Sequence, residues 1–540
     1  MKVSSTTEKV STSSSNILPF RAVEKTLANG LKVIVVPTGF PNIVSLQIPV
    51  QTGSRNEVEP GKSGFAHFFE HMMFRGTKQY PPDKYQAILT EIGARQNAYT
   101  TDDYTNYHTT FAKEDLEIML KIEADRFMNL EYSEEDFKTE ARAVLGEYNK
   151  NYANPFSKLL EVQQENAFTR HTYKHTTMGF LKDIEDMPNQ FQYSKEFFKR
   201  WYRPEYTAII VAGDVEPEKV LAMVEKYWGA WQTGNYKAEI PQEPVSKAPV
   251  YAHVPWSSPT LPIVTVAFRS PAFSENEKDQ AALSMAFDLY FGRTSEIYKK
   301  LVEKEQKVDF VGAGVADNAD PALTTVFARL KKLEDATYVR DAIMETLAKM
   351  RAEQVSPERL VEAKSNARYG FLRTLDNTES IASVLATYVR YHRSYDTINN
   401  IYKVYDSLTP TDLQQAAKKY IYDENLVITT LSQQAMPEEV KAFKPLSAYE
   451  KSSSSNSSSS LQFVVQKTPL PQINMKFLFN VGSAYDPVGK EGLAALSASM
   501  IANAGSKDLR IDEINKALCP IAASFFSQVD KEMTTFTGIV

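Results

Sequence analysis

Two histidines and a glutamate carry the most chemically suggestive pattern in this chain of 540 residues. His67 and His71 are four positions apart, and Glu70 directly precedes His71. Between Gly64 and Gly76 there is no further glycine, no proline and no β-branched residue, so a helix is predicted there. Because residues four apart share one face of a helix, both imidazoles can point at a single ion.

Such a helix face could carry out hydrolysis assisted by a metal ion. Neutral imidazoles suit Zn²⁺, which lowers the pKa of a bound water towards ~7, and Glu70 is placed to take the proton of that water. The chain contains only 7 histidines. A chance match to this spacing is therefore expected in roughly one such chain in a hundred or fewer. The alternative is that two core histidines and a solvated glutamate align by chance.

A catalytic zinc also needs a third protein ligand and an open position. The helix predicted at 134–152 contains two candidates, Glu140 and Glu147, which are seven residues apart and lie on one face. Either one can be the ligand while the other supports the site from further out. The spacing alone does not choose between them.

A second pair of histidines, His171 and His175, is also spaced by four. No glutamate lies between them, and their segment contains Thr172 and leads into a turn-like stretch at Met178 and Gly179. This pattern favours two histidines on a surface loop over a second metal site.

Composition sets outer limits on the class of protein. The length predicts several domains, and a net charge of -6 from 61 basic and 67 acidic residues gives no footprint for nucleic acid. Cys519 is the single cysteine, which excludes an intrachain disulfide and a thiolate metal cage. No apolar run approaches the ~20 residues of a transmembrane helix, so no transmembrane segment is predicted.

A long-range repeat indicates duplication. The segment at 31–66 reappears at 461–494, and Gly53 corresponds to Gly482, an offset of 429 because 482 − 53 = 429. Chance similarity rarely keeps glycine, proline and apolar positions in register over such a distance. Only about 80 residues of the second copy are present, which predicts an incomplete unit.

The second copy lacks the reactive pattern. Alignment on the preceding glycines places Ala495, Ala498 and Ser499 where the first copy has its two histidines and glutamate. None of these three side chains can act as a zinc ligand or a strong base. The second copy is therefore predicted to be catalytically silent.

Strand and helix patterns are mixed without regular βαβ alternation, which predicts an α+β protein. Periodicity predicts strands at 31–36, 43–51, 207–211 and 262–268, and helices at 116–126, 134–152, 216–228, 277–291, 336–351 and 357–374. Composition divides the chain into a disordered lead-in at 1–22, a zinc-binding domain at 23–248, a second domain at 249–448, a Ser-rich linker at 449–460 and an incomplete third domain at 461–540.

On these residues the chain resembles the M16 peptidases, the pitrilysin- or insulinase-type inverzincins, whose inverted zinc motif is H-x-x-E-H. The resemblance runs from Val23 onward and includes the stretches at 97–100 and 201–204. It is closest in type to bacterial members of two halves, one active and one degenerate, with the second half truncated. It implies repeated mixed domains, each with a largely antiparallel sheet packed by helices.

The resemblance also implies a role for each residue of the motif. His67, His71 and Glu147 would bind one zinc ion per chain. Glu70 would be the general base, and Glu140 would assist catalysis.

A further stretch would meet the substrate. The resemblance implies that Asn97, Ala98 and Tyr99 form an exposed edge strand that pairs with the backbone of a peptide. The alternative is an ordinary edge strand with no ligand.

The activity implied is that of a zinc-dependent endopeptidase acting on peptides or unfolded segments. The rival hypothesis is a non-catalytic member of this fold that serves as a scaffold or complex subunit. A homodimer or a missing C-terminal half would complete the chamber in which such enzymes enclose peptides. The Ser/Thr-rich lead-in favours a periplasmic protein trimmed of its signal over a cytoplasmic one.

Overall fold

The computed structural model describes residues 9–10, 16–442, 444–449, 474–479, 481–487 and 489–540. The predicted linker at 449–460 lies outside these ranges apart from Tyr449. Three β-sheets are present in the described residues. The first consists of β1 (Lys9–Val10), β2 (Val23–Thr26), β3 (Lys32–Pro37), β4 (Ile43–Val50), β5 (Arg95–Thr100), β6 (Thr105–Ala112) and β7 (Ala208–Gly213). The second consists of β8 (Val250–Pro255), β9 (Ile263–Arg269), β10 (Val308–Gly314), β11 (Leu323–Leu330) and β12 (Leu426–Ser432). The third consists of β13 (Asn474–Phe479), β14 (Ser524–Val529) and β15 (Thr534–Ile539).

Helices pack on all three sheets, and each sheet with its helices is called a unit below. The helices of the first unit are α1 (Phe65–Met72), α2 (Pro82–Glu91), α3 (Leu116–Asn129), α4 (Glu134–Tyr152), α5 (Pro155–Ala167), α6 (Leu181–Asp186), α7 (Phe191–Trp201) and α8 (Pro217–Trp228). Those of the second are α9 (Asp279–Phe291), α10 (Glu296–Tyr298), α11 (Ala336–Ala352), α12 (Pro357–Arg373), α13 (Thr378–His392), α14 (Asp396–Ser407) and α15 (Pro410–Tyr420). The third unit has α16 (Leu493–Asn503) and α17 (Ile511–Leu518).

This architecture confirms the predicted α+β fold with repeated, largely antiparallel sheets. The strand order is β1-β2-β3-β7-β4-β6-β5 in the first sheet, β10-β11-β9-β12-β8 in the second and β13-β15-β14 in the third. Only the pairs β3–β7 and β8–β12 are parallel among the described strands. The strands and helices predicted from periodicity are all present, with ends that agree within three residues. The domain boundaries themselves stay predictions.

The first sheet contributes side chains to the cores of both the first and the second unit. Along β3, Val33 and Val35 point into the core of the first unit, whereas Ile34 and Val36 point into the core of the second. A strand buried on both faces must be apolar at every position, which explains its unbroken valine and isoleucine run. In exchange, α13 of the second unit packs on β4 and β7, and α5 of the first packs on β8 and β12.

Part of the predicted disordered lead-in is packed, which corrects the prediction for residues 16–22. Ile17 and Leu18 are buried in the core of the second unit. The Leu18 amide donates to Asn399 Oδ1 at 3.3 Å, and the Tyr395 hydroxyl donates to the Phe20 carbonyl at 2.7 Å. Residues 4–15 are rich in Ser and Thr, but the end of the lead-in at 16–22 is largely apolar, so its side chains are stabilised by burial against the core of the second unit.

The predicted repeat has the same strand register in both copies. Ile48 is opposite Tyr107 across β4 and β6, and Phe477 is opposite Phe536 across β13 and β15. Both members of the pair move by 429 residues, the offset found in the sequence. The third unit therefore reproduces the β4-β6-β5 part of the first.

Candidate active site

Helix α1 is fixed by aromatic packing along one side. Phe65, Phe68 and Phe69 are fully buried, and their rings contact Phe197 and Phe137. Because these phenylalanines face the core, the remaining face of α1 lies between α4 and β5. The two histidines and the glutamate of the motif lie on that face.

The first turn of α1 is held by a buried carboxylate. Glu57 accepts hydrogen bonds from the amides of Gly64 and Ala66, each at 2.7 Å, and so satisfies two of the free N–H groups of a helix N-terminus. Burial raises the pKa of Glu57 to about 8, although both hydrogen bonds oppose this shift. In the third unit, Asp486 makes the same two contacts to Gly492 and Ala494 at 2.7 Å.

Helix α4 presents the two candidate glutamates to α1. Its N-terminus is capped by Ser133, whose hydroxyl accepts from the Asp136 amide. Phe137 and Val144 on the buried face pack into the core of the first unit. Because α4 packs in this orientation, Glu140 and Glu147 contact the histidines of the motif on α1.

The ligand atoms of His67, His71 and Glu147 lie within 4.8 Å of one another. His67 Nε2 is 3.7 Å and His71 Nε2 is 3.3 Å from Glu147 Oε2. Two imidazole nitrogens therefore converge on one carboxylate oxygen, which is the donor set that Zn²⁺ takes in catalytic sites. Within the described ranges this is the one such group of three found.

Glu140 does not join that group and contacts its outer side. His71 Nδ1 lies 2.9 Å from Glu140 Oε1, and Arg75 Nε donates to Glu140 Oε2 at 2.8 Å. The hydrogen bond to His71 is the main reason that the pKa of Glu140 is lowered and that of His71 is raised. Glu140 thus contacts the His71 ring on the side opposite to Nε2, the position from which supporting carboxylates orient metal-binding histidines.

His67 has the protonation state that a metal requires. Burial is the main cause that lowers the pKa of this imidazole to about 4, and the nearby His71 adds to the effect. The ring is therefore neutral at physiological pH and offers a lone pair. Its Nδ1 atom is buried and has no hydrogen-bond partner in the described residues. The donor set as a whole fits zinc.

Glu70 lies beside the cluster, next to an open cavity. Thr100 Oγ1 donates to Glu70 Oε2 at 2.6 Å. Burial raises the pKa of Glu70 above its ordinary value, and the hydrogen bond from Thr100 opposes this rise. The cavity has a volume of about 390 Å³, and its lining includes Glu70, His71, Phe74, Arg75, Pro82 and Glu140.

The predicted edge strand is at the edge of the first sheet. β5 pairs on one side with β6, and no described strand pairs with its other side. Asn97 is exposed, and the Ala98 amide donates to Asn97 Oδ1 at 2.9 Å. That amide therefore points away from β6, towards the side of β5 that has no neighbouring strand in the described residues. Tyr99 is the next residue of the strand.

The second histidine pair is in a loop, as expected, but it is not at the surface. His171 is 3% and His175 is 4% exposed. His171 Nε2 lies 3.1 Å from Asp320 Oδ2, which belongs to the second unit and also accepts from Arg55. The prediction of surface histidines was wrong because the second unit covers His171, whereas His175 packs against Phe180 and lies 3.8 Å from Glu57 within the first unit.

Sequence reasoning missed three residues around the site. Arg75 follows His71 by four positions, so helical spacing could have found it. Thr100 ends the edge-strand motif but carries no chemical signal of its own. Glu57 could have been found only through the repeat, in which Asp486 stands at the matching position.

The models of two known protein families match the chain. "Insulinase (Peptidase family M16)" matches residues 33–180, and "Peptidase M16 inactive domain" matches residues 191–367. The zinc protease PqqE of Helicobacter pylori is 26% identical over 405 residues, which are 74% of this chain and 90% of that protein. In the described residues, no helix has the length and apolar character needed to cross a membrane.

Solved structures agree with these matches. A protease from Helicobacter pylori has a TM-score of 0.69 at 26% identity and covers 76% of this chain and 99% of its own. The periplasmic protease PqqL from Escherichia coli has a TM-score of 0.67 at 18% identity, a likeness of fold. The match covers 96% of this chain and 64% of PqqL.

Zinc is the cofactor of the peptidases in this family, and the first family match includes all three residues of the His-His-Glu group. The fold, the matched residues and the zinc protease relatives agree. The chain belongs to peptidase family M16.

Proposed function

We propose that this chain is a zinc-dependent endopeptidase that hydrolyses peptides or unfolded polypeptide segments. One zinc ion would be held by His67, His71 and Glu147, and Glu70 would be the general base. The observation that carries this proposal is the convergence of both Nε2 atoms on Glu147, with Glu70 on the same helix face. A bound zinc ion would supply a Lewis acid that polarises the scissile carbonyl and acidifies water.

The chain's own residues divide the remaining work. Glu70 Oε2 accepts the Thr100 hydroxyl, which leaves Oε1 available to take a proton from the attacking water and pass it to the leaving amine. Glu140 keeps the His71 ring turned inward, and Arg75 keeps Glu140 in place.

The free side of β5 suits an extended peptide. Its outward Ala98 amide would exchange the Asn97 side chain for a carbonyl of the substrate, as in β-augmentation. Only a segment without its own strand partners can pair in this way, which favours peptides and unfolded segments over folded proteins.

A non-catalytic scaffold is the rival function. Family M16 includes inactive domains, and one such description covers residues 191–367. The third unit likewise has Ala498 in place of the general base. The complete cluster in the first unit favours the enzyme.

Two further expectations stay predictions. A homodimer, or a longer second half, would complete a chamber around the substrate. A periplasmic location is preferred over a cytoplasmic one, and fractionation of cells that produce the protein would test it.

The deciding experiment is cleavage of a quenched fluorescent peptide, with zinc content measured in parallel. The wild-type chain should cleave, a zinc chelator should stop it, and Glu70→Gln should abolish cleavage while it keeps zinc, because the change removes a base and no ligand. Zinc binding without cleavage by the wild type would favour the scaffold. A wild-type chain that binds no zinc would show that the ligand set is wrong.

A further inference from the structure

The general base has one hydrogen-bond partner in the described residues. Thr100 Oγ1 donates to Glu70 Oε2 at 2.6 Å, and no second hydrogen bond to that carboxylate is seen within those ranges. A short hydrogen bond to an ionised oxygen is stronger than one between neutral groups. The orientation of Glu70 thus depends on a residue that the proposed mechanism has so far left without a role.

An ordinary strand threonine is the alternative explanation, since threonine is common in β-strands. The neighbouring Thr105 is an example of the hydrogen bonding of an ordinary strand threonine. Its hydroxyl lies opposite Thr100 across the sheet, but donates to the backbone carbonyl of Thr52 at 2.9 Å. The Thr100 hydroxyl instead points its hydrogen at a carboxylate on a helix.

The repeat provides an internal comparison. β14 and β15 have the register of β5 and β6 with an offset of 429, since Thr100 is opposite Thr105 and Val529 is opposite Thr534. The residue that corresponds to Thr100 is therefore Val529, which has no hydroxyl. In the same unit the residue that corresponds to Glu70 is Ala498. The donor and the acceptor are both present in the unit with the His-His-Glu group and both absent in the unit without it.

The position of Thr100 in its strand adds a second consequence. Its backbone ends β5, directly after Tyr99, and its side chain reaches α1. A peptide that pairs with β5 would fix the conformation of the backbone that carries the Thr100 hydroxyl. The strand that takes the substrate also holds the base.

We propose that Thr100 is a positioning residue that fixes Glu70 Oε2 and so aligns the other oxygen of the base with a peptide bound along β5. This inference rests on the proposed function, in which Glu70 is the general base. It assigns Thr100 no contact with the reacting atoms.

The test compares Thr100→Val, which keeps the shape but removes the donor, with Thr100→Ser, which keeps the donor. Thr109→Val, a buried threonine on the adjoining strand β6, is the matched control. Thr100→Val should lower kcat roughly 10- to 100-fold, the effect of a misplaced catalytic group, with KM within about twofold. Thr100→Ser should recover most of kcat, and Thr109→Val should match the wild type.

Two measurements apart from turnover accompany the kinetics. Zinc content should be equal in all variants, and a crystal structure of zinc-loaded Thr100→Val should show Glu70 in a changed or divided rotamer. If Thr100→Val does not fold, Thr100→Ala replaces it with the same readouts.

The inference is overturned if Thr100→Val keeps kcat within about twofold of the wild type, or if Thr100→Ser loses as much kcat as Thr100→Val. A raised KM with unchanged kcat would also overturn it, because Thr100 would then act on substrate binding. These outcomes differ from failure of the proposed function, which would appear as an inactive wild type or an active Glu70→Gln.

Discussion

Two carboxylates contact the imidazole of His71, each at a different ring nitrogen. Glu147 Oε2 lies 3.3 Å from His71 Nε2, on the side of the ring that faces His67. Glu140 Oε1 lies 2.9 Å from His71 Nδ1, on the opposite side of the ring. Only the first can share an ion with the ring. In the proposed mechanism the second would fix the tautomer and the ring orientation, as supporting carboxylates do for zinc-bound histidines.

The two glutamates should therefore differ when each is removed. Glu147→Ala should abolish tight zinc binding, whereas Glu140→Ala should weaken it by about 10- to 100-fold, the usual effect of losing a supporting carboxylate. Competition with a chromogenic chelator measures both. Glu135→Ala, an exposed glutamate on the same helix, is the control and should bind zinc as the wild type does. Equal losses for Glu140 and Glu147 would contradict the division of roles.

Asp102 links the first two units and makes their stability depend on pH. Ser54 Oγ donates to this carboxylate at 3.0 Å and Asn318 of the second unit at 3.1 Å. Burial, and after it the charge of Asp103, raises the pKa of Asp102 to about 6, although the Arg390 guanidinium opposes this rise. The fold therefore favours the protonated acid.

The sign of the effect follows from that shift. The contribution of protonated Asp102 is fully present below its unfolded pKa of ~4 and is lost as the pH rises through about 6. Asp102→Asn, which is always neutral, should gain thermal stability relative to the wild type between pH 4 and 7, with a constant difference above that. Melting temperatures of both proteins across this range measure it. A difference that does not vary with pH would contradict the assignment.

At the scale of elements, the start of α1 decides where the motif lies. Gly64 has a φ of 90°, in the left-handed region, and a Cβ atom there would lie 2.3 Å from Ile184 Cδ1 and 2.9 Å from the Met178 carbonyl oxygen. A side chain would both strain the backbone and push the turn away from α6. Because Glu57 binds the same turn, the whole helix would shift with it.

Gly64→Ala should accordingly lower the free energy of unfolding by about 2–4 kcal/mol, the sum of left-handed strain and local overpacking, and should weaken zinc binding. Gly61→Ala is the matched control, because Gly61 has a φ of 76° but no atom within 4 Å of the position that a Cβ would take. It should show the strain alone, about 1–2 kcal/mol, with normal zinc content. Denaturant unfolding measures the free energy of unfolding of both variants, and their zinc content is measured separately. Equal losses would mean that the clash at Gly64 relaxes at no cost.

At the scale of the whole molecule, the units differ in how firmly they are joined. In the first two units, a helix of each packs on the sheet of the other: α13 packs on the first sheet and α5 packs on the second. Within the described residues, the third unit contacts helix α12 of the second, and these contacts include the hydrogen bond from Arg373 Nη2 to Ser524 Oγ at 3.1 Å. Its helix α16 exposes Leu496, Met500 and Ile501, whereas the corresponding helix α1 is packed.

A chain ending at Tyr449 should therefore fold and bind zinc. Both of these cores lie within residues 16–449, and the Helicobacter pylori protease structure is matched over 99% of its length by 76% of this chain. Zinc content and the melting temperature of the shortened chain are the measurements, with the 540-residue chain as the reference. Loss of zinc or of cooperative unfolding would show that the third unit supports the site.

Local spacing was enough for what the sequence determined by itself. His67, Glu70 and His71 fall on one face because a helix repeats every 3.6 residues, and Glu140 and Glu147 share a face for the same reason. The predicted strands, helices and repeat rest on periodicity and offset, which are properties of the chain alone. Each of these predictions is confirmed by the structure.

Only the tertiary structure decided which side chains meet across elements. The position of Glu147, and not Glu140, near both Nε2 atoms depends on how α1 crosses α4. The contact of Thr100 with Glu70 depends on how β5 lies beside α1. The burial of His171 needs a second unit about 150 residues later in the chain. No periodic pattern records such distances, because packing brings together residues whose separation along the sequence is arbitrary.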